Sequence, residues 1–341
     1  SIDGGSSWTR VSPMNEPADV TCIVQDPRSG NENIWYYSTG NAGRGNSASF
    51  DAATGDEVAY YLGSGVYLSV DNGVSWTKIT CVNETGSLET FDKHLDLITR
   101  LAVHPQTGDI YAAASGAIYR GKFIINFQLG IFYWSWTKVL GNGVLSYSAM
   151  TDIVISNSGV IYAGISGLVT GGFDGVWKSS TGNSGSWTRI AGNSSPSGWM
   201  AEGTYGRIVL AIPPSNQNQL WVAFYNSHNK TSPTPNVKLF RYSYNIFTGI
   251  GGWVNKTSAV PSYFECYTGY ALAIAVKPDN AAHVYLGGLD LVRIIDGTTP
   301  VVDQFYVPHS DIQWITFKPT LPNKPNNKDT MLLGCDGGIV S

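Results

Sequence analysis

Apolar residues along this chain recur in short runs, each closed by glycine, asparagine, serine or proline. No stretch holds a 3.6-residue apolar period over three turns, so the pattern predicts strands and not helices. The runs come in pairs. Leu101-Ala102-Val103-His104-Pro105 precedes Asp109-Ile110-Tyr111-Ala112 across a polar turn. Ala273-Ile274-Ala275-Val276-Lys277-Pro278 precedes His283-Val284-Tyr285-Leu286-Gly287 in the same way. Other pairs begin near Val20, Ile153, Ile208 and Ile312, which makes six. A third short strand follows each pair, as in Gly116-Ala117-Ile118-Tyr119 or Gly175-Val176-Trp177-Lys178. The most apolar segment, Phe123 to Trp136, is interrupted by Asn126, Gln128 and Gly130 and reads as a long hairpin.

A fourth element is a repeated octapeptide. Ser1-Ile2-Asp3-Gly4-Gly5-Ser6-Ser7-Trp8 recurs as Ser69-Val70-Asp71-Asn72-Gly73-Val74-Ser75-Trp76, both reading S-x-D-x-G-x-S-W. Weaker copies end in Trp136 and Trp187. Remnants stand at Gly252-Trp253-Val254-Asn255 and at Ile295-Asp296-Gly297-Thr298-Thr299. The motif describes a rigid hairpin turn. Its Asp carboxylate can accept bonds from backbone N–H groups of its own turn, and its Gly supplies an angle that a Cβ forbids. Its Trp can wedge between neighbouring sheets. Asp3, Gly5, Trp8, Asp71, Gly73, Trp76, Trp136 and Trp187 are therefore read as structural.

Four strands per unit, with units roughly 50 to 70 residues long between successive Trp residues, are propeller blades. Six units predict an all-β, six-bladed β-propeller of four-stranded antiparallel blades, a single domain over 1–341. The blades lie near 18–80, 96–140, 148–192, 204–257, 268–300 and 308–341. The chain ends at Gly334-Cys335-Asp336-Gly337-Gly338-Ile339-Val340-Ser341, where the next octapeptide is due, and it begins with that octapeptide. Residues 1–10 are thus expected to supply the outer strand of the last blade and close the ring, which removes two sheet edges. The alternative is part of a seven-bladed propeller.

Composition narrows the function. Only 13% of residues are charged and 39 are glycine, a profile of many short strands and turns. Net charge is -4, with 21 Lys and Arg in no run, so a phosphate-tracking surface is not expected and nucleic acid is excluded as partner. No 18-residue apolar run exists, so membrane insertion is not expected. Cys22, Cys81, Cys266 and Cys335 have no metal-ligand spacing. They read as buried thiols, with one or two disulfides as the rival. No metal and no cofactor is expected. The chain opens inside a repeat, so a longer chain is expected.

The octapeptide resembles the Asp-box, or BNR repeat, of sialidases, family 74 xyloglucanases, sortilin-type receptors and many secreted bacterial proteins. The resemblance covers the chain at blade level and implies fold far more than function. The C-terminal part is similar to one subgroup, bacterial surface propellers of the type IX secretion kind. The similarity runs through Gly287-Gly288-Leu289-Asp290-Leu291-Val292-Arg293, then Pro308-His309-Ser310-Asp311-Ile312-Gln313, then Asp336-Gly337-Gly338-Ile339. Gln313 stands where that series usually has a second His. The resemblance implies a secreted or cell-surface location.

Candidate chemistry lies where inner strands enter the channel: Asp19, Arg100, Asp152, Arg207, Tyr270, His309 and Asp311. These could bind a sugar or peptide, or hold blades together. A sialidase needs three arginines on an anionic substrate, and only Arg100 and Arg207 are suitably placed. A glycosidase needs two nearby carboxylates, for which Asp152 and Asp311 are the candidates, with Glu265 a further choice. Trp35, Tyr36, Tyr37, Tyr60, Tyr61, Trp134, Trp199, Tyr263 and Phe264 could form aromatic platforms for sugars or pack between blades. Long insertions at 41–56, 193–205 and 227–236 are the least repeat-like segments. The expected function is a non-catalytic binding or scaffold module with a glycan or surface protein as partner. The alternatives are a glycoside hydrolase of xyloglucanase or sialidase type and a structural spacer of an adhesin-like chain.

Overall fold

The computed structural model describes residues 7, 9, 20–42, 60–61, 63–79, 81–82, 88–89, 95, 97–128, 130–143, 150–167, 171–226, 236–296, 301–305, 307, 309–318 and 330–340. The strands follow the six predicted pairs. Blade 1 holds β1 (Val20–Gln25), β2 (Trp35–Thr39), β5 (Val66–Ser69) and β6 (Thr77–Lys78), with a small ladder of β3 (Asn41–Ala42) and β4 (Tyr60–Tyr61) in its long connection. The segment leading to blade 2 contributes β7 (Cys81–Val82) and β8 (Leu88–Glu89). Blade 2 proper is β9 (Ile98–Val103), β10 (Ile110–Ala114), β11 (Ala117–Asn126) and β12 (Ile131–Gly141). Here β7 pairs in parallel with β12, which extends this sheet to six strands.

Blade 3 is β13 (Met150–Ile155), β14 (Ile161–Ser166), β15 (Gly175–Ser179) and β16 (Thr188–Ala191). Blade 4 is β17 (Ile208–Ala211), β18 (Gln219–Tyr225), β19 (Val237–Tyr244) and β20 (Gly251–Asn255). Blade 5 is β21 (Ala273–Val276), β22 (His283–Gly287), β23 (Leu291–Ile295) and β24 (Val301–Phe305). Blade 6 shows β25 (Ile312–Phe317), β26 (Met331–Cys335) and β27 (Gly338–Val340). Six blades of antiparallel strands in a ring make a β-propeller. The predicted closing strand at 1–10, with Asp3, Gly5 and Trp8, lies outside the described residues.

The second strand of each middle blade is buried on both faces, which is why β10, β14 and β18 read as continuous apolar runs and not as alternating ones. Successive blades stack through five apolar layers. Cys22, Tyr36 and Val66 of blade 1 meet Leu101, Ala112 and Trp136 of blade 2. Tyr111 and Ile118 of blade 2 meet Ile153 and Ile161 of blade 3. Equivalent layers join blades 3 to 4, 4 to 5 and 5 to 6.

The octapeptide turn forms as its chemistry requires. The Asp71 carboxylate accepts from Ser75 N at 2.9 Å, from Ser69 Oγ at 2.8 Å and from Ser75 Oγ at 2.5 Å. These bonds hold its carboxyl down at about 2. Gly73 sits at φ +84°, and its N–H donates to Ser69 Oγ at 2.8 Å. In blade 3 the Asp is missing, and the hydroxyls of Ser179 and Ser186 bond each other directly at 2.7 Å. In blade 2 the turn is replaced by the expected hairpin, which is longer than the short third strand read from sequence: β11 continues to Asn126. Trp136 lies within that hairpin over Gly121, where a Cβ would stand 2.9 Å from the indole.

The remnant at Asp296 behaves differently from a turn support. Its carboxylate pairs with Arg241 and with Lys256 Nζ at 2.5 Å, both on blade 4. It is a tie between blades, because the side chain is buried where two cations of the preceding blade converge.

Candidate functional site

The six inner strands line one central channel. Each begins at one face, here the start face, and ends at the opposite, end face. Because strands alternate in direction, the connections between second and third strands also lie on the start face, as do those from each outer strand to the next blade.

The middle of the channel is a waist. Arg100 Nη1 donates to Asp152 at 3.1 and 3.0 Å and to the Leu210 carbonyl at 3.1 Å. The Asp152 carboxylate also accepts from Leu210 N at 2.7 Å and Ile153 N at 2.8 Å. One ion pair thus joins blades 2, 3 and 4. The Arg100 guanidinium also stacks over the Trp314 ring of blade 6, 5.1 Å from its centroid. Contrary to the expectation from sequence, neither Arg100 nor Asp152 precedes its strand. Both are third residues within β9 and β13, because pairing of Ile98 with Ala114 and of Met150 with Ser166 starts the ladders earlier.

Arg207 is buried just before β17. Its Nη1 donates to the carbonyls of Gly269 at 3.1 Å and Tyr270 at 2.5 Å and points at Gln313 Oε1 at 3.5 Å. It therefore links blade 4 to the segment leading into blade 5 and to blade 6. Threonines act similarly at the strand starts. Thr21 donates to the Ile98 carbonyl, and Thr99 donates to the Thr151 carbonyl at 2.6 Å.

On the start face, blades 5 and 6 gather the remaining candidates. Tyr270 OH donates to Asp336 Oδ2 at 2.6 Å. Burial, then the Asp336 carboxylate, push its phenol upward. Asp311 lies close by at φ +67°, in the left-handed region that a non-glycine residue holds only under constraint. Its carboxyl is raised, first by burial and then by the Asp336 charge, with His309 opposing. His309 Nδ1 meets the Ser310 carbonyl at 2.9 Å, and its ring lies against Gly337, where a Cβ would come within 2.5 Å of it. A phenol, two interacting carboxylates and an imidazole thus share one partly exposed rim. Among the described residues no cluster of three His, Cys, Asp or Glu side chains is arranged to hold a metal ion.

The other candidates are dispersed. Asp19 lies outside the described residues. Glu265 accepts from Cys266 N at 3.0 Å, Tyr267 N at 2.9 Å and Asn236 Nδ2 at 2.9 Å, a loop brace. Tyr36, Tyr37, Trp134, Trp199 and Phe264 are buried, while Tyr263 is exposed. Trp76 packs edge-on against Tyr37 at 4.6 Å within blade 1, and Trp187 packs into the layer between blades 2 and 3. Cys22 and Cys266 are buried, and Cys335 is half-buried with its Sγ donating to the Gly338 carbonyl at 3.4 Å. Asp336 and Trp314 were not among the sequence candidates. Asp336 sits in a glycine turn that reads as structural, and no local pattern marks Trp314 as facing a channel.

The end face has its own feature. Beyond the waist the channel opens into a cavity of about 550 Å³ lined by all six inner strands, from Val24 of blade 1 to Phe317 of blade 6. On the start side of Arg100 and Trp314 the described residues line a small space of about 40 Å³, beside Asp152, Arg207 and Gln313.

No protein-family model and no curated protein matches the chain. Solved structures resemble it in fold. A protein from Lactobacillus plantarum is 12% identical with a TM-score of 0.50, over 92% of this chain and 76% of that one. PorZ, an essential bacterial surface component of the type-IX secretion system of Porphyromonas gingivalis, is 13% identical with a TM-score of 0.50. That match covers 92% of this chain and 39% of PorZ. The α-L-arabinofuranosidase Arb93A of Fusarium graminearum is 11% identical with a TM-score of 0.48, over 94% of this chain and 89% of that one. At such identities the likeness is one of fold, and it assigns no residue of the site.

Proposed function

We propose that this propeller is a non-catalytic binding or scaffold module of a secreted or cell-surface protein. Its ligand is a glycan or a protein partner held on the start-face rim of blades 5 and 6 by Tyr270, His309, Asp311 and Asp336. One observation carries the reading: the deep carboxylate of the channel, Asp152, is already bound by Arg100 and by two backbone N–H groups. It has no open face for proton transfer to a substrate. The geometry of the Asp71 turn supports kinship with Asp-box propellers, and the C-terminal motifs support the surface subgroup.

The second reading, a glycoside hydrolase, is favoured by the interaction of Asp311 with Asp336. A carboxyl raised by burial and by a neighbouring carboxylate is the usual mark of an acid in such a pair. The two readings separate on a glycan array run beside a polysaccharide hydrolysis panel. Binding without turnover, lost in Tyr270→Phe and Asp336→Asn with the melting temperature unchanged, is the expected result. Turnover that Asp311→Asn or Asp336→Asn abolishes would overturn it in favour of the hydrolase. Absence of turnover together with failure to bind any glycan or surface protein would leave only a spacer role.

A further inference from the structure

We propose that the end face of blade 4 carries a binding site for neutral oligosaccharides, with Phe247 as the platform for a sugar ring. The site lies apart from the start-face rim, and the proposal does not rest on the reading given to that rim. Two turns form it. One joins β17 to β18 and holds Asn216 and Asn218; the other joins β19 to β20 and holds Asn245 and Phe247. Between them lies an open groove of about 400 Å³.

The turn from β19 to β20 departs from its counterparts. In blades 1 and 3 the equivalent turn is closed by polar bonds of the octapeptide, Ser75 to Asp71 and Ser179 to Ser186. In blade 4 it carries Ile246, Phe247 and Ile250, all exposed, and Phe247 is 93% exposed, so its ring adds nothing to the core. The turn is held instead by Asn245, whose Oδ1 accepts from Phe247 N at 2.9 Å and from Thr248 N at 3.2 Å. Three apolar side chains set out on one braced turn form a contact surface.

Beside that ring the groove is polar and uncharged. Asn216, Asn218, Gln219 and Ser243 line it. Asn216 Oδ1 accepts from Asn218 N at 3.2 Å, which orients its amide. Among the described residues no hydrogen bond engages the side chains of Asn218, Gln219 or Ser243. Carboxamides and hydroxyls both donate and accept, so they match either role of a sugar hydroxyl. A sugar ring has a C–H face edged by hydroxyls, and the groove sets an aromatic ring beside amides. A charged ligand finds no opposite charge, because no Asp, Glu, Lys, Arg or His is among the described residues lining it. A hydrocarbon would cover the amides without replacing their bonds to water, which is costly. A peptide strand has no edge to extend. Strand β19 is paired on both sides, and the N–H groups of Tyr244 and Asn245 already donate to the Asn218 and Ile250 carbonyls at 2.9 Å each. Tyr244 is a braced wall, with Lys178 Nζ of blade 3 lying 3.0 Å from its ring centroid.

The test is affinity electrophoresis of the full chain through gels holding mixed-linkage β-glucan, galactomannan, amylose or polygalacturonate. Isothermal titration with a hexasaccharide of the retarding polymer follows. At least one neutral polymer is expected to retard the chain, and polygalacturonate is not. Phe247→Ala and Asn218→Ala should each weaken binding by about ten-fold or more, while Phe247→Tyr keeps it. Phe127→Ala removes a comparably exposed ring from the blade 2 hairpin and should leave binding unchanged. All three positions are exposed, and circular dichroism melting checks that each variant is folded. Passage of the chain unretarded through all three neutral polymers overturns the proposal. So does binding that survives Phe247→Ala, or retardation by polygalacturonate as strong as by the neutral polymers. Binding lost in Tyr270→Phe and kept in Phe247→Ala assigns the sugar to the start-face rim and overturns the blade 4 site. The reverse pattern supports the blade 4 site and counts against the rim.

Discussion

Two aspartates show how differently one side chain behaves under local and non-local control. Asp71 is fully exposed and surrounded by donors from its own turn, so its carboxyl falls to about 2. Asp174 is buried in the connection between β14 and β15. Burial pushes its carboxyl up to about 6, although the Gly203 N–H donates to it at 2.6 Å; Glu202 adds to the rise and Arg189 opposes it. The sign of its effect follows. Between the ordinary aspartate range and about 6 the folded chain binds more protons than the unfolded one. The stabilisation is fully present below the ordinary aspartate value and is lost as pH rises through about 6, with about 1.4 kcal/mol lost for each pH unit between the two values. Urea unfolding midpoints between about pH 4 and 7 should therefore decline in the parent chain, and this contribution should be missing in Asp174→Asn. An equal decline in both chains would show that Asp174 is not its source. The role of Asp71 was legible in the sequence because every partner lies within its own octapeptide. That of Asp174 was not, because its burial depends on the 193–205 insertion folding over it.

At the scale of the element, the recurring Trp has a consistent direction. Trp136 packs into the layer shared with blade 1, Trp187 into that shared with blade 2, and Trp253 into that shared with blade 3. In each case the wedge faces the preceding blade. Trp253 adds a polar contact across the joint, its Nε1 donating to the Ile190 carbonyl of β16 at 2.7 Å. It also packs on Trp199, Phe240 and Tyr242. Trp253→Phe should keep most of the ring contacts and lose the bond, a cost of about 1 kcal/mol. Trp253→Ala should cost about 3 kcal/mol or more through lost packing. The two differ enough for urea midpoints to separate them. Equal costs would mean that the hydrogen bond carries the joint and the ring does not. The octapeptide spacing revealed the wedge, but its direction was hidden, since sequence periodicity is the same whichever neighbour the ring meets. The split of roles between Asp71 and Asp296 was hidden for a similar reason. Both stand in copies of one motif, and only the cations of blade 4 distinguish them.

At the scale of the whole molecule, polar ties gather around the start half of the channel. Thr21 joins blade 1 to 2, and Thr99 joins 2 to 3. The Arg100–Asp152 pair with the Leu210 backbone joins 2, 3 and 4, and Arg207 reaches from blade 4 toward blades 5 and 6. The apolar layers join only adjacent blades, so ties that reach a third blade are what couples non-adjacent units. The ties of Arg100 could not be read from the chain, because its partners lie 52 to 110 positions away. In the sequence the two arginines and Asp152 stand either as ligand-binding candidates or as ties between blades, and their bonds here are of the second kind. These roles make opposite predictions for Asp152. If the residue serves the ring, Asp152→Ala leaves Arg100 and the Leu210 N–H without their acceptor in a buried place, at a cost of about 3 kcal/mol or more. Asp152→Asn keeps one carbonyl oxygen for Leu210 and should cost less. Equilibrium urea unfolding should show the midpoint fall in that order, with any glycan binding retained in proportion to the folded fraction. A catalytic Asp152 would give the reverse pattern: an unchanged midpoint for Asp152→Asn, together with loss of turnover.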